Sequence, residues 1–155
     1  MSGIRWNDVV DSLRPQVGDR PGELRDIVVM DSTIHDWECV YRLVRQGYQH
    51  RFTLPEFVPP ESAADLFRTE DVPPLLVKVG GVEVFCWFYL EDQIELSFDP
   101  REVAGEDDLV ALVELLAGLG RCTEKRVVLI YEGAPDWVIL EYRPESGLVQ
   151  RPVKS

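Results

Sequence analysis

The sequence predicts an α+β fold: a mainly antiparallel sheet with helices packed on one face. Three observations carry that prediction. Two segments, near residues 34–47 and 106–119, repeat their apolar residues at helical spacing over several turns. Between them lies a series of short apolar runs broken by turn residues, the pattern of a β-meander. Val127-Val128-Leu129-Ile130 is apolar at every position and reads as a central strand covered on both faces. Long helices separated by strand hairpins belong to the α+β class. The specific expectation is a ferredoxin-like core with added strands.

Taken in chain order, Trp6, Val9, Val10 and Leu13 stand at i, i+3, i+4 and i+7 and predict a short amphipathic helix that Pro15 ends. Pro15 to Glu23 contains Gly18, Pro21 and Gly22 and reads as a loop. Ile27-Val28-Val29-Met30 is a short buried strand. Thr33 and Asp36 have capping-box spacing at the start of a helix. Its apolar face is Ile34, Trp37, Val40, Tyr41 and Val44, and Gly47 closes it. Tyr48 to Thr53 follows as a strand, giving a compact βαβ-type unit whose second strand has no assigned direction. Pro55, Pro59 and Pro60 make the next stretch extended. Ser62 to Phe67 is a short helix opened by Pro60.

Leu75 to Val79 and Val82 to Leu90 flank Gly80-Gly81, a tight hairpin, because glycine accepts positive φ. Ile94, Leu96 and Phe98 alternate with Glu95 and Ser97 as a half-buried strand. Glu106, Asp107 and Asp108 open the second long helix, where carboxylates complement the positive helix end. Leu109, Leu112, Val113, Leu116 and Leu119 form its apolar face, and Gly118 and Gly120 close it. Strands at Arg126 to Tyr131 and Trp137 to Tyr142 follow, with an edge at Leu148-Val149. The whole reads as a single domain over 1–155. It divides into an N-terminal helix and loop (1–22), a core (23–143) and a C-terminal edge segment (144–155).

Composition is that of a folded protein, 45% apolar and 28% charged. The longest uninterrupted apolar run, Val84 to Leu90, is seven residues, far short of the ~20 a membrane span needs. Three cysteines, Cys39, Cys86 and Cys122, form no C-x-x-C pair and fit a reducing compartment. Without a secretory signal pattern, a soluble cytoplasmic protein is the expectation. The unusual number is charge, −12 overall. Residues 54–125 carry sixteen acidic side chains against five basic ones. Glu91, Asp92, Glu95, Asp99, Glu102, Glu106, Asp107 and Asp108 face Arg101 alone within eighteen residues. Such a field repels nucleic acid and anionic membranes and attracts basic proteins.

Catalytic motifs are missing. There is no G-x-S-x-G elbow, no H-E-x-x-H, no P-loop and no EF-hand spacing. His35 and His50 read as surface histidines, and Cys39 and Cys86 as small core residues. Cys122 follows Arg121 and precedes Lys125, cations of the kind that lower a thiol pKa. No catalytic residue, metal or cofactor is expected. The informative strand is Val82 to Leu90. Val82, Val84, Cys86, Phe88 and Leu90 occupy one face, and Glu83, Phe85, Trp87 and Tyr89 the other. The second face is either covered by the Pro55–Pro60 loop or exposed as an aromatic surface with an acidic rim, the usual construction of a protein interface.

Size, acidity, α+β pattern and missing chemistry make the chain look like a bacterial immunity protein, a class that neutralises basic toxins. Ile94-Glu95-Leu96-Ser97-Phe98-Asp99-Pro100-Arg101-Glu102, with Leu109 to Leu119 and Val127-Val128-Leu129, also resembles small uncharacterised proteins of high-GC actinobacteria over residues 60–145. That resemblance brings no activity and no functional residue with it. The leading expectation is a non-catalytic acidic domain that binds a basic protein through Glu91, Asp92, Glu95, Asp99, Glu102, Asp107, Asp108, Trp87 and Tyr89. The partner would be a toxin or a nucleic-acid-binding protein. The alternative is a small-molecule-binding domain or enzyme with a pocket between sheet and helices, lined by Trp37, Tyr41, Phe85, Trp87 and Tyr89. A third expectation is homodimerisation through the aromatic strand.

Overall fold

The computed structural model describes residues 4–13 and 23–152. The chain forms one eight-stranded sheet in the order β2-β3-β4-β5-β1-β6-β7-β8. The strands are β1 (Arg25–Val29), β2 (His50–Phe52), β3 (Leu75–Val79), β4 (Val82–Cys86), β5 (Ile94–Phe98), β6 (Val127–Tyr131), β7 (Ala134–Arg143) and β8 (Leu148–Gln150). Every neighbouring pair is antiparallel. The helices are α1 (Trp6–Leu13), α2 (Ile34–Gly47), α3 (Ala63–Phe67) and α4 (Glu106–Thr123). The fold is α+β, as its periodicities predict.

The four middle strands, β6-β1-β5-β4, with crossovers through α2 and α4, reproduce the ferredoxin-like order. Strands β2 and β3 extend one edge and β7 and β8 the other. The expected βαβ unit is corrected: β1 and β2 run the same way but stand four places apart, with β3, β4 and β5 between them. A sequence spacing of one helix sets that a crossover occurs, not how many later strands insert beneath it. β6 lies inside the sheet between β1 and β7, and both its faces are buried, Val127 and Leu129 on one side, Val128 and Ile130 on the other.

The core lies between the sheet and α2 with α4. Ile27 and Val29 of β1, Leu96 of β5 and Val84 of β4 meet Trp37, Val40, Tyr41 and Val44 of α2 and Leu112, Leu115, Leu116 and Leu119 of α4. α2 starts as the sequence predicts. The Thr33 hydroxyl accepts from the Asp36 amide, and the Asp36 carboxylate accepts from the Thr33 amide. The α3 cap is Ser62, whose hydroxyl accepts from Asp65 N, rather than Pro60. The expected loop from Pro15 to Glu23 falls almost entirely outside the described residues.

Three local corrections shape the surface. α4 runs past Gly118 and Gly120 to Thr123 and ends on Glu124 in the left-handed region. Gly120 is instead a close-approach residue, since a Cβ there would lie 2.0 Å from the Tyr142 ring. In the β3–β4 hairpin only Gly80 takes positive φ. Gly81 is a close-approach position: its amide donates to Asp108 Oδ1 at 2.8 Å, and a Cβ would stand 3.0 Å from that oxygen. Finally, the long strand expected over Val82 to Leu90 leaves the ladder after Cys86, and Leu90 makes only an isolated bridge to Gln93. No helix among the described residues is long and apolar enough to cross a membrane.

Candidate functional site

Where the chain leaves β4 it keeps its alternation. Phe88 turns inward and packs among Trp37, Tyr41, Phe52 and Phe67, with ring centroids 5.2 to 6.2 Å away. Trp37 Nε1 donates to Leu90 O at 3.0 Å, clamping the same segment from inside the core. With Phe88 fixed, Phe85, Trp87 and Tyr89 must face the other side. They form a stack, with Phe85 and Trp87 centroids 6.3 Å apart and Trp87 and Tyr89 5.4 Å apart, nearly parallel. Tyr89 is 74% exposed. The Pro55–Pro60 loop does not cover this stack. Its Phe57 packs on Phe52, and Tyr41 Oη donates to Pro60 O, both beside the helix-side aromatic cluster.

The stack walls a cleft of about 370 Å³ on the face of the sheet opposite α2 and α4. Its floor comes from three places in the chain. β1 gives Asp26, β5 gives Glu95 and Ser97, and the β6–β7 turn gives Glu132 and Gly133. Antiparallel register puts Asp26 opposite Ser97 and Glu95 one step along, opposite Val28. Asp26 and Glu95 are thus diagonal neighbours on one face. Asp26 is only 2% exposed. Its carboxylate accepts from Ser97 Oγ at 2.9 Å and from Gly133 N at 3.2 Å, the latter aimed by the positive φ of Gly133. Glu132 Oε1 accepts from Leu24 N at 2.7 Å, and Glu95 Oε2 accepts from Gln93 Nε2 at 3.3 Å.

Three carboxylates line this cleft and no Lys, Arg or His does. Among the described residues none of the three has an ion-pair partner. Elsewhere on the sheet the fold does neutralise a buried acid. Glu141 of β7 is fully buried and bonded to both Arg126 and Arg143. Burial opposes its charge, but hydrogen bonds from Arg143 and Arg126 outweigh burial and hold its carboxyl below the usual range. The cleft behaves oppositely. Burial first, then a hydrogen bond to Asp26 and the charges of Asp26 and Glu132, push the Glu95 carboxyl up to about 7. A cation seated there would supply the missing counter-charge. It would donate hydrogen bonds to the carboxylates and lie beside aromatic rings that attract positive charge.

Of the residues predicted from sequence, the structure brings Glu95, Trp87 and Tyr89 into this cleft. Glu91 and Asp92 lie exposed in the adjoining turn. The other four are elsewhere. Asp99 accepts from Arg101 N at the start of a 3-10 turn, Pro100–Glu102. Glu102 Oε1 accepts from Glu83 N at 2.8 Å. Asp108 is nearly buried and accepts from Gly81 N and Ala104 N, tying the hairpin to α4. Asp107 is exposed on α4. The linear run of acids is therefore divided between backbone capping and solvent rather than gathered on one face.

Sequence reasoning missed Asp26, Ser97 and Glu132. Asp26 was legible as a carboxylate directly before the apolar run Ile27-Val28-Val29, and Ser97 as the polar alternate of its own strand. Their meeting depends on β1 pairing with β5 across 71 residues. The thiol expectation is also corrected. Lys125 Nζ is taken by Asp36 Oδ2 at 3.3 Å and Asp31 O at 2.7 Å. Burial, then Cys39 and Asp36, push the Cys122 thiol up to about 11. Cys86 is fully buried and pushed up to about 12. His50 Nδ1 is 2.8 Å from Tyr48 O, and His50 is not one of the residues that line the cleft. The interior expected as a pocket, around Trp37 and Tyr41, is packed core. No protein-family model, curated protein or solved structure matches the chain.

Proposed function

We propose that the protein is a non-catalytic binding module that captures a lysine or arginine side chain of a basic protein in the Asp26–Glu95–Glu132 cleft. One observation carries this reading: three carboxylates converge under a stacked Trp87–Tyr89 wall with no basic residue lining the space. Exposed Glu91 and Asp92 extend the negative field at the rim, and a field of this sign speeds encounter with a basic surface. An aromatic anchor beside a polar floor is also the arrangement in which interface energy concentrates. An immunity-type role, the neutralisation of a basic toxin, fits this chemistry and remains part of the proposal.

A second reading has its own support. At about 370 Å³ the cleft falls within the range of roughly 300–1,000 Å³ typical of small-molecule sites, so a small organic cation would fit it. Amide chemical-shift mapping separates the cases. A basic peptide is expected to perturb Asp26, Trp87, Tyr89, Glu95 and Gly133 together at moderate salt. A response to a free polyamine but not to the peptide would favour the small-molecule reading. Shifts confined to Asp107 and other surface acids, with the cleft silent, would overturn both.

A further inference from the structure

We propose that Cys39 and Cys122 are a disulfide pair that can reversibly staple α2 to α4. The two helices pack antiparallel along one seam, and three neighbouring pairs of residues fix its register. A Cβ built at Gly118 would lie 3.5 Å from Leu43 Cδ2. Lys125, just beyond α4, reaches Asp36 in the first turn of α2. Tyr48, at the other end of α2, feels the charge of Glu114. Residue numbers rise along α2 as they fall along α4. Cys39 is one turn before Leu43, and Cys122 is one turn after Gly118. Residues four apart share a helix face, so the two cysteines occupy the next layer of the same seam. Gly118 has no side chain, which lets the helices approach closely beside that layer. The thiols are near enough that a charge at Cys39 disfavours a second at Cys122. Both are half-buried and open to a small reagent, whereas Cys86 is sealed in the core.

The chemistry balances as thiol–disulfide exchange with a low-molecular-weight disulfide. The thiolate of one cysteine attacks the reagent, forms a mixed disulfide and releases one small thiol. The second cysteine, after losing its proton, attacks the protein sulfur and releases the other small thiol. The protein pair loses two electrons and the reagent gains them. Burial keeps the Cys122 thiolate scarce near neutrality, so the bridge forms slowly and faster as pH rises. The closed loop spans 39–122, and a long loop makes a bridge more stabilising.

The test incubates the full chain with oxidised glutathione at pH 7 and pH 9, then digests it without reduction for mass spectrometry. The expected product is a Cys39–Cys122 linked peptide that appears faster at pH 9. The oxidised chain should melt higher by roughly 5–10 °C, and dithiothreitol should reverse both changes. Cys86→Ser should retain the linked peptide, while Cys39→Ser and Cys122→Ser should each lose it and the melting shift. Glutathione adducts at Cys39 or Cys122 without the linked peptide would overturn the proposal, as would a bridge involving Cys86.

Discussion

Glu95 of β5 stands diagonally across from Asp26 of β1 on one face of the sheet, two acids on neighbouring strands in a cleft that no Lys, Arg or His lines. Together with Glu132 they place more negative charge on the cleft floor than the floor can hold near neutrality. Glu95 therefore keeps a proton until about pH 7. A bound cation changes that balance, because it stabilises the ionised form.

Ligand binding should depend on pH. The cation competes with the Glu95 proton, so affinity rises with pH through the Glu95 pKa. Between pH 6 and pH 8 a single linked proton gives about a tenfold gain. Titration calorimetry in two buffers of different ionisation enthalpy should show proton release at pH 7. Glu95→Gln should bind weakly and lose the pH dependence.

Stability should move the other way. Glu95 has a raised folded pKa, so its contribution is fully present below the unfolded value of 4.5 and is lost as pH rises through about 7. In that window the unfolded chain has already released a proton that the folded chain retains. Denaturant midpoints should fall from pH 5 to pH 8 through this group. Glu95→Gln should flatten that fall and be at least as stable as the parent at pH 8. A variant less stable than the parent at pH 8 would mean that Glu95 is held charged by the fold.

Gly120 leaves no room for a side chain against Tyr142. Gly120→Ala should destabilise by about 3 kcal/mol, the upper range for overpacking a core. Tyr142→Leu in the same chain should recover part of that loss, because the two residues share the contact. Urea denaturation of the two single variants and the double variant measures the coupling.

Trp37 is fully buried against Phe67 and Phe88, and its indole N–H holds Leu90 O. Trp37→Ala should cost about 3–5 kcal/mol. It should also disorder the Trp87–Tyr89 wall, because Phe88 loses its main support. The second effect is visible as lost near-ultraviolet circular dichroism and weaker ligand binding under conditions where the variant remains folded.

Much of the fold was legible because local patterns state it directly. Thr33 and Asp36 announce the start of α2, the Gly80-Gly81 pair announces a hairpin, and the unbroken apolar run from Val127 announces an interior strand. Strand order was only partly legible, since the insertion of β3, β4 and β5 between β1 and β2 is a choice among long-range pairings. The site was legible by halves. The alternation of Phe85, Trp87 and Tyr89 survives even where the strand ends, so the aromatic wall could be read from the chain. The floor could not, because Asp26 and Glu132 join Glu95 only through the order β5-β1-β6-β7. Charge density along the chain does not reveal that Asp99, Glu102 and Asp108 cap backbone amides. Short acidic side chains near turns and helix starts are as useful for capping backbone amides as for meeting a partner.

Isothermal titration of a lysine- and arginine-rich peptide into the parent and into the Asp26→Asn, Glu95→Gln double variant tests the cleft most directly. Both substitutions keep side-chain volume and relieve like-charge repulsion, so the double variant should fold. The cleft account predicts clear binding to the parent at pH 8, and at least a tenfold loss in the double variant although Glu91, Asp92 and the rest of the acidic surface are intact. Equal affinity for both proteins would contradict it and return the binding role to diffuse surface charge.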